Sequence, residues 1–228
     1  MNKISINIPL VPEKAEFPVI FLLIFLPSYL NQQSMPPGLF DYPIHHLTVI
    51  FQSLVIITLL LYLMQKTPPL CEESATALAG ELKISHVLIA FAGIGVLFAM
   101  YTAGMAVLRT LGVRIDPPPL LISRKIMLIP SFLTCMAAAT MEEFFFRGYA
   151  WFRIRRDGGS PVSGLIFISI LFAGGHLYEG VPAAVFAFAS GLFLGTLILK
   201  RFSLFSLSAA HGIFNFVMIL LSYLQQSA

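Results

Sequence analysis

Apolar residues in this chain come in long unbroken runs rather than in alternation. They occupy Phe17 to Leu30, Ile44 to Met64, His86 to about Leu108, Ile126 to Phe152, Val162 to Tyr178, Val181 to Leu199 and Leu204 to Leu224. A helix rises about 1.5 Å per residue and a bilayer core is about 30 Å thick, so about 20 apolar residues make one crossing. Such helices satisfy their own backbone groups, whereas a membrane barrel would show short strands of alternating polarity. The runs therefore predict an all-α, polytopic transmembrane helical bundle of about seven helices, six to eight depending on how the first run is counted. That run holds Pro18 and Pro27 and is short for a span. No small-residue cleavage site of the A-x-A kind follows it, so it is read as retained, as a kinked first helix, a signal-like anchor or an interfacial segment.

The polar stretches between the runs divide the chain. Gln32 to Pro43 is a Pro/Gly loop, and Lys66 to Glu81 is a polar loop in which Glu72 and Glu73 read as solvated charge. His45 and His46, at the mouth of the second run, read as interfacial residues. Arg109 to Lys125 contains Pro117-Pro118-Pro119, which no helix interior tolerates. That loop separates N-terminal helices and loops (17–125) from a C-terminal part (126–224), within one integral membrane domain spanning 1–228.

Composition strengthens the membrane reading. The chain is 57% hydrophobic and 11% charged with a mean hydropathy of +0.86, whereas a soluble domain carries about 25% charged residues. The net charge of +3 is explained by lysines and arginines in connecting loops, which set orientation, and does not call for a nucleic-acid partner. Cys71 and Cys135 lie far apart in unlike settings, which disfavours a disulfide or a metal pair.

Orientation follows from two tight basic connections, one with Arg153, Arg155 and Arg156 and the other with Lys200 and Arg201. If the helices alternate, both lie on the cytoplasmic side, and the turn at Glu179-Gly180 lies opposite. The basic loop 109–125 then falls on the outer side, against the charge rule. The implied location is a plasma membrane, bacterial and multi-pass.

Within this oily background Glu142-Glu143-Phe144-Phe145-Phe146-Arg147 carries three charges. Ionisable residues inside a span are costly and mark function by default. Counting helical rise from the cytoplasmic ends puts Glu142 roughly 16 Å deep, His176 roughly 21 Å, His211 roughly 10 Å and Asn215 roughly 16 Å. A single histidine in an apolar helix is more often a satisfied structural residue. Two histidines, an acidic pair, an arginine and an asparagine at one depth predict a built site.

Helical geometry separates their roles. Glu143 and Arg147 are four residues apart, on one face, and should neutralise each other. Glu142 points about 100° away and has no charge partner nearby in sequence. A carboxylate isolated at low dielectric becomes more basic, which suits a general base. His211 and Asn215 also share a face and can together hold an oxyanion through hydrogen bonds. Gly174 and Gly175, before His176, would allow a neighbouring helix close, and Gly191 and Gly195 read as a small-xxx-small packing pair.

Three motifs in order, Glu142-Glu143-x-x-x-Arg147, Phe172-x-x-x-His176 and His211-x-x-x-Asn215, resemble those of the CAAX protease and bacteriocin-processing family of intramembrane endopeptidases. Gly191-x-x-x-Gly195 followed by Lys200-Arg201-Phe202-Ser203-Leu204 is similar to that family too, and the likeness covers roughly Met127 to Leu221. The resemblance implies hydrolysis of a peptide bond in a membrane-anchored protein or peptide. Glu142 would activate water with help from His176, Glu143 and Arg147 would support the site, and His211 and Asn215 would stabilise the oxyanion. Older descriptions treat the family as metalloproteases. This sequence has no H-E-x-x-H and no cysteine pair, so zinc would need Glu142, His176 and His211, and a metal-free mechanism is preferred. Two other classes stay open: a non-catalytic membrane scaffold or immunity protein, and a transporter, although no internal repeat of the transporter kind is visible.

Overall fold

A computed structural model describes residues 13–30, 36–66, 81–112 and 122–226 of the chain. Its helices are α1 (Glu13–Leu30), α2 (Pro43–Lys66), α3 (Ile84–Thr110), α4 (Leu128–Glu143), a π-helical turn (Phe144–Ala150), α5 (Trp151–Arg156), α6 (Pro161–Gly174), α7 (Val181–Leu199) and α8 (Leu204–Gln226). Since α4, the π turn and α5 form one continuous stretch, the described residues make seven rods of an all-helical, polytopic bundle. Among the described residues five stretches are long and apolar enough to cross a bilayer: Pro43–Gln65, Ile84–Thr110, Lys125–Arg156, Val181–Leu199 and Leu204–Leu224. Large apolar side chains such as Leu23, Phe51 and Ile129 point outward, as they must where lipid is the solvent. Cys71, Glu72-Glu73 and Pro117-Pro118-Pro119 lie outside the described residues.

Three elements depart from the uniform helices that hydropathy predicts. The first run starts earlier, at Glu13, and stays helical through Pro18 and Pro27. It is held by a stack of rings: Phe17 and Phe21 lie against Phe145, and Phe25 lies 4.7 Å from Phe145 and 4.9 Å from Phe146 between centroids. The run through Phe152 is interrupted by the π turn directly after Glu143. The run ending at Tyr178 loses its α-helix at Gly174, so α6 has 14 residues and a length of about 21 Å. That is too short for a 30 Å core. With Pro161 at the cytoplasmic face, as the basic connection before it predicts, the chain between α6 and α7 falls within the bilayer, where irregular backbone is tolerated only inside protein or beside a wet cavity.

The stretch α4–π–α5 is the axis on which α1 and α2 are hung, and polar contacts fix both ends of it. At one end the Asp41 carboxylate accepts from the backbone N–H of Ser123 (3.0 Å) and Arg124 (2.9 Å) and from Ser123 Oγ (2.6 Å). One turn into α2, His46 Nε2 hydrogen-bonds to the Phe40 carbonyl at 2.9 Å, and Nδ1 lies 2.8 Å from Thr134 Oγ1 on α4. His46 is thus buried, not interfacial as its position at the mouth of the run predicts. At the other end Glu16 of α1 accepts from Tyr149 O–H at 2.9 Å and pairs with Arg153 at 3.5 Å. These three contacts make α2 run alongside α4 in the same direction and α1 in the opposite one.

The C-terminal helices close on the same axis through small residues. A Cβ on Gly212 of α8 would come 3.0 Å from Met136 Cα and 3.3 Å from the Cys135 carbonyl oxygen. Only glycine lets α8 approach α4 this closely, and Gly212 is the residue after His211. Gly191 and Gly195 of α7 meet α6 at Ser169 and Leu165 in the same way, in keeping with their reading as a packing pair.

Candidate active site

The π turn places every residue from Phe144 to Ala150 in the interior. Consecutive residues on a helix point to different sides, so such a run needs neighbours all round. Phe144 meets Phe205 of α8 at 5.6 Å, Phe145 meets α1, and Phe146 meets Phe172 of α6 at 5.2 Å. The three phenylalanines thus bind three different helices to the segment that carries the charges. π-helical turns are rare overall and are frequent at functional sites.

Glu143 is fully buried and is the hub of the polar cluster. Its Oε1 accepts from Arg147 Nη1 at 3.0 Å, the four-residue pair expected from the sequence, and also from His211 Nδ1 at 2.9 Å. The second bond joins α8 to α4 across 68 residues and is invisible to local spacing. Arg147 reaches on to the Gly191 carbonyl at 3.4 Å, with its guanidinium 4.6 Å above the Phe172 ring. One carboxylate, one guanidinium and an aromatic face therefore share their desolvation, which a lone charge could not.

Glu142 faces elsewhere. Its Oε2 lies 3.8 Å from His211 Nε2, so His211 stands between the two carboxylates. On its other side Glu142 borders a cavity of about 220 Å³, room for several waters or a short stretch of chain. His176 borders the same cavity from the turn after α6. Its Nδ1 lies 2.9 Å from the Phe172 carbonyl oxygen, which can only accept, so Nδ1 carries the proton and Nε2 of the neutral ring is an acceptor.

Of the residues singled out from the sequence, Glu142 and His176 share the cavity, while His211, Glu143 and Arg147 form the bonded cluster behind it. Asn215 stands one turn beyond His211 on α8, half-buried, and is not among the cavity's lining residues. Gln52 and Ser53 of α2 and Tyr178 line the cavity although sequence reasoning passed them over. The signal available was an adjacent polar pair, Gln52-Ser53, in the middle of an otherwise apolar span. Among the described residues no group of three His, Cys, Asp or Glu side chains is placed to hold a metal ion. Glu142, His176 and His211 are not gathered into such a group here, although the Nδ1 bond to Glu143 leaves His211 Nε2 facing Glu142.

Residues 124–217 match the model of a family described as type II CAAX prenyl endopeptidase Rce1-like. No curated protein and no solved structure matches the chain. The matched stretch begins just before α4, ends within α8 and contains all seven named residues of the three motifs. Over this stretch the chain is similar to that family, in line with the resemblance of its ordered motifs.

Proposed function

We propose that this protein is an intramembrane endopeptidase in which Glu142 acts as general base on a water molecule. The observation that carries the reading is the pairing of Glu142 and His176 on one cavity, backed by a charge-compensated Glu143–Arg147–His211 cluster, within the stretch that matches the family. Glu142 takes a proton from water, the oxygen attacks the scissile carbonyl, and the carbonyl electrons move onto oxygen. Collapse of that intermediate breaks the C–N bond, and the proton held by Glu142 passes to the departing amine. His176 Nε2 accepts a hydrogen bond from the water and orients it. His211, 2.9 Å from Glu143 and 3.8 Å from Glu142, is the donor to the oxyanion through Nε2. Neither His211 nor Asn215 lines the cavity, so the two reach the oxyanion together when α8 shifts toward the cavity as substrate binds. No step passes through a metal ion, and the substrate is a membrane-anchored protein or peptide cut at a prenylated C-terminus, a leader or a C-terminal sorting tail.

The test is purified protein in lipid vesicles with a panel of membrane-anchored peptides of those three kinds, followed by mass spectrometry. Glu142→Gln should lower cleavage by about 10²–10⁴-fold, the usual share of a general base, without changing the thermal unfolding profile. Strong chelator should leave wild-type cleavage intact. Full activity in Glu142→Gln sinks the proposal, and activity that tracks stoichiometric zinc sinks its metal-free form.

A further inference from the structure

The cavity beside Glu142 has two walls of different origin. One is α4, the π turn and the end of α6, all within the stretch that matches the family; the other is α1 and α2, which lie outside it. The second wall is apolar at Ile24, Phe25, Val49 and Ile56, and polar at Gln52 and Ser53. Ser53 is buried, whereas Gln52 is exposed. Among the described residues the Gln52 side chain has no hydrogen-bond partner.

Depth relative to Glu142 follows from the contact that pins α2 to α4. His46 and Thr134 touch, and from that level Gln52 is six residues along α2 and Glu142 eight along α4. The two helices run the same way, so these offsets are about 9 and 12 Å, and the side chains stand within about 3 Å of one level. A primary amide at mid-membrane depth is costly when its donors and acceptor go unpaired.

A membrane-inserted substrate has a matching need. To expose a peptide bond to water it must unwind locally, and the N–H and C=O groups freed from its helix then lack partners in hydrocarbon. An amide side chain offers both a donor and an acceptor and can satisfy an extended main chain whatever the substrate's side chains are. We infer that Gln52 is a substrate-binding residue, hydrogen-bonding the unwound main chain beside the scissile bond. This rests on the endopeptidase reading above and adds to it the class of group recognised, a bare peptide backbone.

The experiment uses the full chain in vesicles with a synthetic transmembrane peptide, chosen as one that wild type cleaves in a Glu142-dependent way. A second version of the peptide carries an ester in place of one amide next to the cleaved bond, removing a single backbone N–H. Gln52→Leu should raise KM about tenfold with kcat within about twofold, the pattern of an interaction equal in ground and transition states. Wild type should discriminate against the ester peptide by a similar factor, and Gln52→Leu should not. Gln52→Asn, which keeps donor and acceptor, should recover part of the discrimination. If Gln52→Leu keeps wild-type KM, or discriminates against the ester as wild type does, the inference is overturned while the endopeptidase reading stands. If no peptide is cut in a Glu142-dependent way, the underlying reading falls with it.

Discussion

At the scale of single residues, two neighbouring glutamates have been given unlike surroundings. The 100° between successive helical positions is enough to predict that Glu142 and Glu143 face apart, and that Arg147 follows Glu143. It does not predict that His211 bonds Glu143, because that partner arrives from another helix. Burial makes the Glu143–Arg147 pair sensitive to loss of either member. Arg147→Met leaves a fully buried carboxylate with His211 alone and should destabilise the protein by about 3–5 kcal/mol. Adding Glu143→Gln should recover part of that loss, since the unpaired charge is then gone. Unfolding in mixed detergent micelles measures both, and a single Arg147→Met variant as stable as wild type would show that the pair carries no such weight.

At the scale of elements, hydropathy located every rod but misread two of their interiors. Periodicity reports only where apolar residues lie, and Ile126 to Phe152 is apolar whichever helix type it adopts. The π turn at Phe144–Ala150 is a tertiary result: Phe144, Phe145 and Phe146 each find a ring on a different helix. The early end of α6 was equally hidden, since Gly174-Gly175 reads as easily for close packing as for termination. Its consequence is chemical, because His176 sits in a turn, with its ring fixed by the Phe172 carbonyl, and not on a helix face. The π turn can be tested by deleting one residue, Phe145. Closing the turn to α-helix would absorb the missing residue, so the segment that follows keeps nearly its register while the ring that meets α1 is lost and Phe144 and Phe146 no longer diverge toward their separate helices. Helicity by circular dichroism should be unchanged and proteolysis should fall at least tenfold. Wild-type activity in the deletion variant would make the turn incidental.

At the scale of the whole molecule, the N-terminal helices are part of the site although the family match begins at residue 124. From sequence they could be read only as compatible apolar spans. The contacts that attach them, Glu16 to Tyr149, His46 to Thr134 and Asp41 to Ser123, join residues 133, 88 and 82 positions apart, beyond the reach of any local pattern. Asp41 also bears on the misplaced basic loop, since it holds the Arg124 side chain by an ion pair and a bond to its own carbonyl. One of the charges that breaks the orientation rule is thereby compensated in the fold.

The Asp41 clasp makes a pH-dependent prediction that the other contacts do not. Burial alone would raise the Asp41 pKa, but hydrogen bonds from Ser123 and Arg124 together with the Arg124 charge outweigh it and hold the carboxyl below its usual range. A group whose folded pKa is lowered stabilises the fold above its unfolded pKa, about 3.9 for aspartate, and loses that contribution as pH falls through the folded value. Asp41→Asn should therefore lower the melting temperature by a few degrees at pH 7, and the gap from wild type should narrow once the pH drops below about 4. Melting curves of both proteins across pH 3 to 7 in the same micelles test this. A gap independent of pH would assign the loss to altered hydrogen bonding at the clasp and remove charge from its role in holding α2 against α4.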